Sequence, residues 1–347
     1  MKTPIVKALS LLAVGSLVAV AACKSKPKEL RVYTWADYIK PEVITRFEQQ
    51  EGCKVVIDTF DSNEAMYAKL KAGATGYDVI TPSSYMVQVM HGQGMLQPLD
   101  HAKLPNIANV DREILALGID KEMHHSVPYM LTITGLAYLQ SKVSDFKPSW
   151  AMLDRADLAG RMTMLNDMRE TMGAALKFLG FSINSVDVTE LAKARDVVIR
   201  WKRNLAKFEN EQYKTGLASG EFLLVHGYSG DILQVQGENK DIAFAVPTEG
   251  TSFACDDLVI PRDAPNAELA LRFINTLHDP KVAAENTEFI SYLCPNSASY
   301  PLLSEETRAN PAMFPSKEVR ARCEVIVDLG EKNALYTKMW DEVKASR

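Results

Sequence analysis

An α/β protein of two lobes is the fold class that the sequence predicts, and three observations predict it. Strand and helix patterns alternate from Leu30 onward. A second alternating unit begins after Pro148-Ser-Trp150, and two apolar runs, 242–246 and 253–260, read as strands leading back toward the first unit. At 347 residues, with 47 % hydrophobic and 24 % charged side chains, the chain is long enough for two domains and has neither a disordered nor a fibrous composition.

The first 22 residues stand apart. Lys2 and Lys7 precede an apolar stretch from Ala8 to Ala22, too short and too weakly flanked for a spanning helix, and this reads as an export signal. Val20-Ala21-Ala22-Cys23 places small residues immediately before a cysteine and resembles the lipobox of bacterial lipoproteins. That resemblance makes Cys23 the acylated first residue of the mature chain, with the polar and basic stretch 23–29 as a lipidated tether over a membrane surface. An ordinary cleavage site, with Cys23 as a plain first residue, is the alternative.

Lys2 and Lys7 are two of the 39 basic residues, so the chain after the leader carries 44 acidic groups against 37 basic ones, a net charge of −7. This balance argues against nucleic acid as a partner. Cys53, Cys255, Cys294 and Cys323 lack the paired spacing of structural zinc sites, so no metal or other cofactor is expected, and any disulfide among them is left open. His124-His125 beside Glu122 does not change this, because adjacent side chains diverge on either a helix or a strand.

The elements follow in order. Leu30 to Tyr33 reads as a strand. Pro41 to Gln50 reads as a helix with proline near its start, Val43, Ile44 and Phe47 on one face, and Gly52 past its end. Lys54 to Thr59 is the next strand. Ser62 or Asn63 caps a helix through Leu70, and Tyr77 to Pro82 is a third strand feeding a helix from Tyr85. In the second unit, 161–165 is a strand and 168–179 a helix ended by Gly180. A long amphipathic helix over 189–207 buries Leu191, Ala194, Val197, Val198, Trp201 and Leu205. Phe222 to His226 is a strand that delivers Gly227-Tyr-Ser-Gly230, and helices over 266–277 and 280–289 follow the returning strands.

Ligands of open α/β sheets sit at the carboxyl ends of strands. Two such ends, 35–38 and 83–85, carry aromatic and hydroxyl groups. The first is the more informative: Trp35 and Tyr38 flank Asp37, a grouping suited to an organic cation, since an aromatic face attracts positive charge by about 0.5–2 kcal/mol and the carboxylate supplies the counter-charge. Together with the leader, the two lobes have the plan of a type II-like periplasmic binding protein, with a central cleft and crossover strands as hinge. The expected lobes are 30–132 with 256–301 and 133–255 with 302–347.

Nearly all of the chain from Leu30 on resembles the spermidine/putrescine-binding proteins of polyamine ABC importers. The resemblance is carried by Val32-Tyr-Thr-Trp-Ala-Asp-Tyr38, Ser62-Asn-Glu-Ala-Met-Tyr-Ala-Lys-Leu-Lys71, Tyr77-Asp-Val-Ile-Thr-Pro-Ser-Ser-Tyr85, Asn166-Asp-Met-Arg-Glu170 and the stretch from Leu335 to Lys344. It implies that Trp35 and Tyr38 line the ligand with Asp37 nearby, and that Ser83 and Tyr85 add polar and aromatic contacts. It also implies that Asp167 and Glu170 grip one amino terminus, that Tyr228 forms a wall, that Asp256 pairs with an ammonium, and that Tyr292 is a lid. Asn210 and Glu324 are further candidates. Ala36, Tyr228, Ala254 and Ile326 depart from the spermidine-preferring pattern and leave the choice between putrescine and spermidine open.

Structural readings stand beside these. Asp167 with Glu170 three residues on is a capping box, Ser83 can simply start a helix, Tyr85 can pack on its lobe, and Cys255-Asp-Asp257 can be a surface turn. The expectation that results is a monomeric, exported, lipid-anchored receptor that binds putrescine or spermidine, hands it to a membrane permease and performs no chemistry. Another organic cation such as thiamine is the first alternative, and an enzyme or a structural lipoprotein is more distant.

Overall fold

A computed structural model describes residues 28–116 and 118–346; the leader, Cys23 and the tether up to residue 27 lie outside the described residues. The first lobe opens with β1 (Lys28–Thr34), α1 (Pro41–Glu51), β2 (Cys53–Thr59), α2 (Asn63–Lys71), β3 (Val79–Ile80), α3 (Ser84–Gly92) and α4 (Arg112–Leu115). After β4 (Ser126–Leu139), the second lobe contains β5 (Met162–Leu165), α5 (Met168–Phe178), α6 (Val188–Lys202), β6 (Leu205–Glu209), α7 (Gln212–Ser219), β7 (Leu224–Tyr228), α8 (Ser229–Glu238) and β8 (Ile242–Ala245). The chain returns along β9 (Phe253–Val259) to α9 (Ala267–Leu277) and α10 (Pro280–Ile290), then passes α11 (Glu305–Ala309) and α12 (Lys317–Arg320) to α13 (Asn333–Ala345), which packs on α5 and α6.

Local chemistry accounts for most boundaries. Pro41 opens α1, and Gly52 closes it in the left-handed region at φ 61°. The Ser62 hydroxyl caps α2, and the Asp167 carboxylate caps α5 by accepting from the Arg169 and Glu170 amides. One boundary departs from expectation: the helix predicted over 189–207 stops at Lys202. Asn204 is tied to Leu153 O through its amide, and Leu205–Glu209 leaves the helix to pair parallel with β5. Tertiary pairing wins there over helical periodicity. Trp201 is fully buried among the helices of the second lobe, as the periodicity predicts.

The strands run in the order β2-β1-β3-β9-β4-β7-β5-β6, with β8 also on β4. Only part of this is the parallel sheet of an alternating α/β chain, because β4 is antiparallel to β9, β7 and β8. This strand carries the architecture. Its first half, through Ile133, pairs with β9, and from Thr134 onward it pairs with β7, then with β8 from Leu136. A second passage lies beside it, where Ser252 precedes β9. A third adds to this one at Glu324, whose backbone accepts from Phe253 N at 2.9 Å and donates to Thr251 O at 3.0 Å.

Apolar cores fill each lobe. One joins Leu30, Val32, Phe47, Val127, Phe273 and Ile274, and another joins Trp150, Met164, Leu176, Val198, Trp201 and Tyr336. Behind the crossovers, Leu131, Ile133, Phe253 and Leu293 pack with Leu303, Phe314 and Val319, so the segment after residue 302 first covers the hinge before reaching the second lobe. Cys53, Cys255, Cys294 and Cys323 are free thiols.

Gly250 sits just ahead of the second crossover at φ 93°, with the Arg322 carbonyl where a Cβ would stand. Gly250→Ala is therefore expected to lower the unfolding free energy by about 2 kcal/mol or more, because it adds backbone strain to a collision with main chain. Urea denaturation of the two proteins checks this.

Candidate functional site

The site grows from strand ends facing the hinge. On leaving β1 the chain turns through Ala36 and Asp37, with Asp37 at φ 53°, and this turn swings Tyr38 inward to 7 % exposure. Tyr38 Oη donates to Asp256 Oδ2 at 2.5 Å. Asp256 lies on β9 and is buried; its other oxygen accepts from Ser83 Oγ at 2.6 Å. Ser83 precedes α3 and is held from behind by Asn63, whose amide accepts from Ser83 N and donates to Ser83 Oγ, both at 3.0 Å. Three separate stretches of chain thus converge on one carboxylate.

Burial drives the Asp256 carboxyl up to about 6, and the hydrogen bonds from Ser83 and Tyr38 only partly offset it. Its neighbour Asp257 points to the other face of the strand, accepts from Ser84 Oγ at 2.5 Å, and is pushed by burial to about 7. A buried carboxylate held by hydroxyl donors alone pays for its charge in desolvation, which a cation alongside would relieve.

The second lobe contributes a matching pair. Asp167 does cap α5, but Glu170 does not complete the capping box: its carboxylate turns to accept from Ser252 Oγ at 2.5 Å and Thr134 Oγ1 at 3.1 Å. Both carboxyls are raised, by burial first, with Glu64 adding to Asp167 and Asp167 adding to Glu170. Arg169 between them is turned away, bonding Val327 O and Asn184 and lying over the Tyr336 ring.

Aromatic rings gather around these acids. Tyr228, at the end of β7, packs against the cores of both lobes. Its phenol is held well above its usual range by burial and then by Asp167 and Glu170. Tyr85 Oη donates to Glu64 Oε1 at 2.9 Å and is raised by burial and by the charges of Glu64 and Asp167. Tyr292 meets Tyr38 edge-on at 5.8 Å and donates to Asp231 Oδ1 at 3.1 Å, while its ring lies on Gly230 with no room for a Cβ. Trp35 is half-buried against Phe60 at 4.4 Å. Beside Tyr85, a cavity of about 500 Å³ opens between the lobes, lined by Glu64, Tyr67, Arg169 and Asp328; Asp256 and Glu170 lie outside its lining.

Not every candidate joins this group. Asp37 is exposed, Glu324 is engaged by Lys177 Nζ at 2.8 Å and Ser182 Oγ at 2.5 Å, and Asn210 has a buried side-chain oxygen with no hydrogen-bond partner among the described residues. Sequence reasoning missed Asn63, Glu64, Thr134, Asp231 and Ser252. Asn63 and Glu64 open α2 in a stretch already singled out for its resemblance, and Asp231 follows directly on Gly227-Tyr-Ser-Gly230. Thr134 and Ser252 carry no local signal.

Two α/β lobes joined by crossing strands, with buried acids and tyrosines gathered near the join, have the plan of a solute-binding protein. The family model described as bacterial extracellular solute-binding protein matches residues 42–315, and the chain belongs to that family. It is 35 % identical to the putrescine/cadaverine-binding protein of Pseudomonas aeruginosa, over 96 % of this chain and 98 % of that one. It is 33 % identical to the putrescine-binding periplasmic protein PotF of Escherichia coli, over 98 % of each. Among solved structures, the spermidine/putrescine ABC transporter substrate-binding protein PotD of Streptococcus pneumoniae superposes with a TM-score of 0.82 at 32 % identity, covering 91 % of this chain and 98 % of that one.

The Asp256 carboxyl carbon is expected to titrate near pH 6 by NMR in the ligand-free protein. Its folded pKa exceeds the unfolded value of about 3.9, so protonation stabilises the fold fully below pH ~4, and that contribution is lost as pH rises through 6. Asp256→Asn removes this term, so the stability of the variant relative to the native protein rises between pH 4 and 7 in denaturation measurements.

Proposed function

We propose that this protein captures a linear polyamine between its lobes and delivers it to a membrane-embedded ABC permease. The observation that carries the reading is Asp256, a buried carboxylate whose donors are Tyr38 and Ser83, with aromatic rings around Tyr38 and no cationic partner among the described residues. One ammonium pairs with Asp256 and another with Asp167 and Glu170, through charge-assisted hydrogen bonds. Tyr38, Tyr85, Tyr228, Tyr292 and Trp35 cover the methylenes between them, and their faces add cation–π attraction. The putrescine- and spermidine-binding relatives support the same ligand class.

Closure links binding to transport. A ligand bridging Asp256 on β9 and Glu170 on α5 favours the state in which both lobes touch it, and a permease reads that state. In this proposal the lobes comprise residues 28–133 with 253–323, and 134–252 with 324–346, which moves each crossover somewhat later or earlier than the sequence suggests. Cleavage after residue 22 and acylation of Cys23 anchor the receptor outside the cytoplasm, and it acts as a monomer; the lipobox-like Val20-Ala21-Ala22-Cys23 supports the anchor. Metabolic labelling with a radioactive fatty acid, lost in Cys23→Ala, tests it.

Calorimetric titration with putrescine and spermidine tests the ligand class, and thiamine in competition should not displace either. Asp256→Asn is expected to weaken polyamine binding at least about tenfold, since losing the charged partner of a buried ammonium costs more than about 1.4 kcal/mol; an unchanged affinity removes Asp256 from the site. Binding should also tighten from pH 5 to 7 and release protons, because a bound ammonium draws Asp256 back to its ionised form. Titrations in buffers of different ionisation enthalpy measure that release.

A further inference from the structure

Lys214 stands in the first turn of α7, on the second lobe, with Nζ 3.2 Å from Glu211 Oε2 and 3.8 Å from Asp231 Oδ2. Asp231 is the carboxylate across which the two lobes meet: it accepts from Tyr213 on its own lobe and from Tyr292 on the other. The Tyr292 ring in turn lies edge-on to Tyr38, whose hydroxyl donates to Asp256. A continuous path therefore runs from the buried acid Asp256, past two rings, to an acid that already has a cation of the protein's own.

We propose that Lys214 is a resident ammonium that closes the Asp231 end of the inter-lobe slot and restricts its occupant to two charged amines. The inference rests on the polyamine reading and deepens it by naming the residue that sets ligand length. Burial disfavours the Lys214 charge, yet Asp231, Glu211 and Asp37 together hold its pKa above the ordinary lysine value, so it stays protonated. Asp37 acts on Lys214 only through its charge, and its exposed side chain stands apart from Tyr38 and Asp256.

The consequence for ligands is electrostatic. A diamine spans from Asp167 and Glu170 to Asp256 and leaves the Lys214 end untouched. A triamine that extends beyond Asp256 brings a third ammonium toward Asp37 and Asp231, where Lys214 has already neutralised part of the acidic charge and repels the newcomer. Removing the lysine charge while keeping its length frees Asp231 and Asp37 for that amine. Lys214 is part-exposed, so its replacement does not open a cavity in the core.

The test is calorimetric titration of the native protein, Lys214→Met and Lys214→Arg with putrescine, which carries two charges, and spermidine, which carries three. Lys214→Met should raise the ratio of spermidine to putrescine affinity at least about tenfold, equivalent to about 1.4 kcal/mol, whereas Lys214→Arg should keep the ratio within about threefold of native. A ratio in Lys214→Met within about threefold of native, or an equal rise in Lys214→Arg, overturns the proposal and leaves the polyamine reading standing. Binding of neither amine by the native protein overturns the polyamine reading, and this inference falls with it.

Discussion

Desolvated carboxylates govern this molecule. Asp256 and Glu170 are both buried, and their hydrogen-bond donors in the site are hydroxyls: Tyr38 and Ser83 for the first, Thr134 and Ser252 for the second. Hydroxyl donors orient a carboxylate and partly satisfy it, but they do not cancel its charge, so both groups are pushed upward by burial. The lobes can hold these acids ionised in a dry space at low cost only when something positive joins them. On the proposed reading, affinity, selectivity and lobe closure are therefore three expressions of one requirement, that each buried charge finds a partner.

The hinge is tied into that requirement. Thr134 is the first residue of β4 to pair in the second lobe, and Ser252 is the last residue before β9 begins to pair in the first. Both donate to Glu170, so the carboxylate of α5 is held by the very residues at which the chain changes lobes. On the proposed reading, an ammonium settling on Glu170 alters a charge in direct contact with two of the crossing segments. The third passage, at Glu324, is spoken for by Lys177 and Ser182 and by backbone bonds to Thr251 and Phe253, which makes it a strut for the hinge. That geometry gives Glu324 a mechanical occupation at the hinge.

The two ends of the proposed slot differ in kind. At the Asp167 end, Tyr85 and Glu64 of one lobe approach the acids of the other, and a cavity opens beside them. At the Asp231 end, Tyr292 lies flat on Gly230, and the Gln234 amide of α8 donates to Ile290 O at 2.6 Å, so the lobes meet directly. Gly230 has a steric reason for being glycine, since any side chain there would strike the Tyr292 ring. The chain thus pairs an open, acidic side with an end where the lobes touch and Lys214 stands beside Asp231.

The sequence by itself determined the local pieces. Proline, glycine and cap residues bounded α1, α2 and α5 almost to the residue, periodicity buried Trp201, and strand ends bearing Trp35, Tyr38, Ser83 and Tyr85 marked where aromatic and hydroxyl groups gather, because each of these signals acts within a few residues of chain. Only the tertiary structure decided what depends on distant pairing. It drew Leu205–Glu209 out of a predicted helix to sit beside β5, made β4 the shared strand, brought Asp256 to Tyr38 across 218 positions, and assigned Glu170 to Thr134 and Ser252. It also separated Asp37 and Glu324 from the buried acids, since the direction of a turn and the presence of Lys177 are not written in the residues on either side. Hydroxyls at the crossovers are common amino acids in unremarkable contexts, and their role comes from the burial that closing two lobes imposes on them.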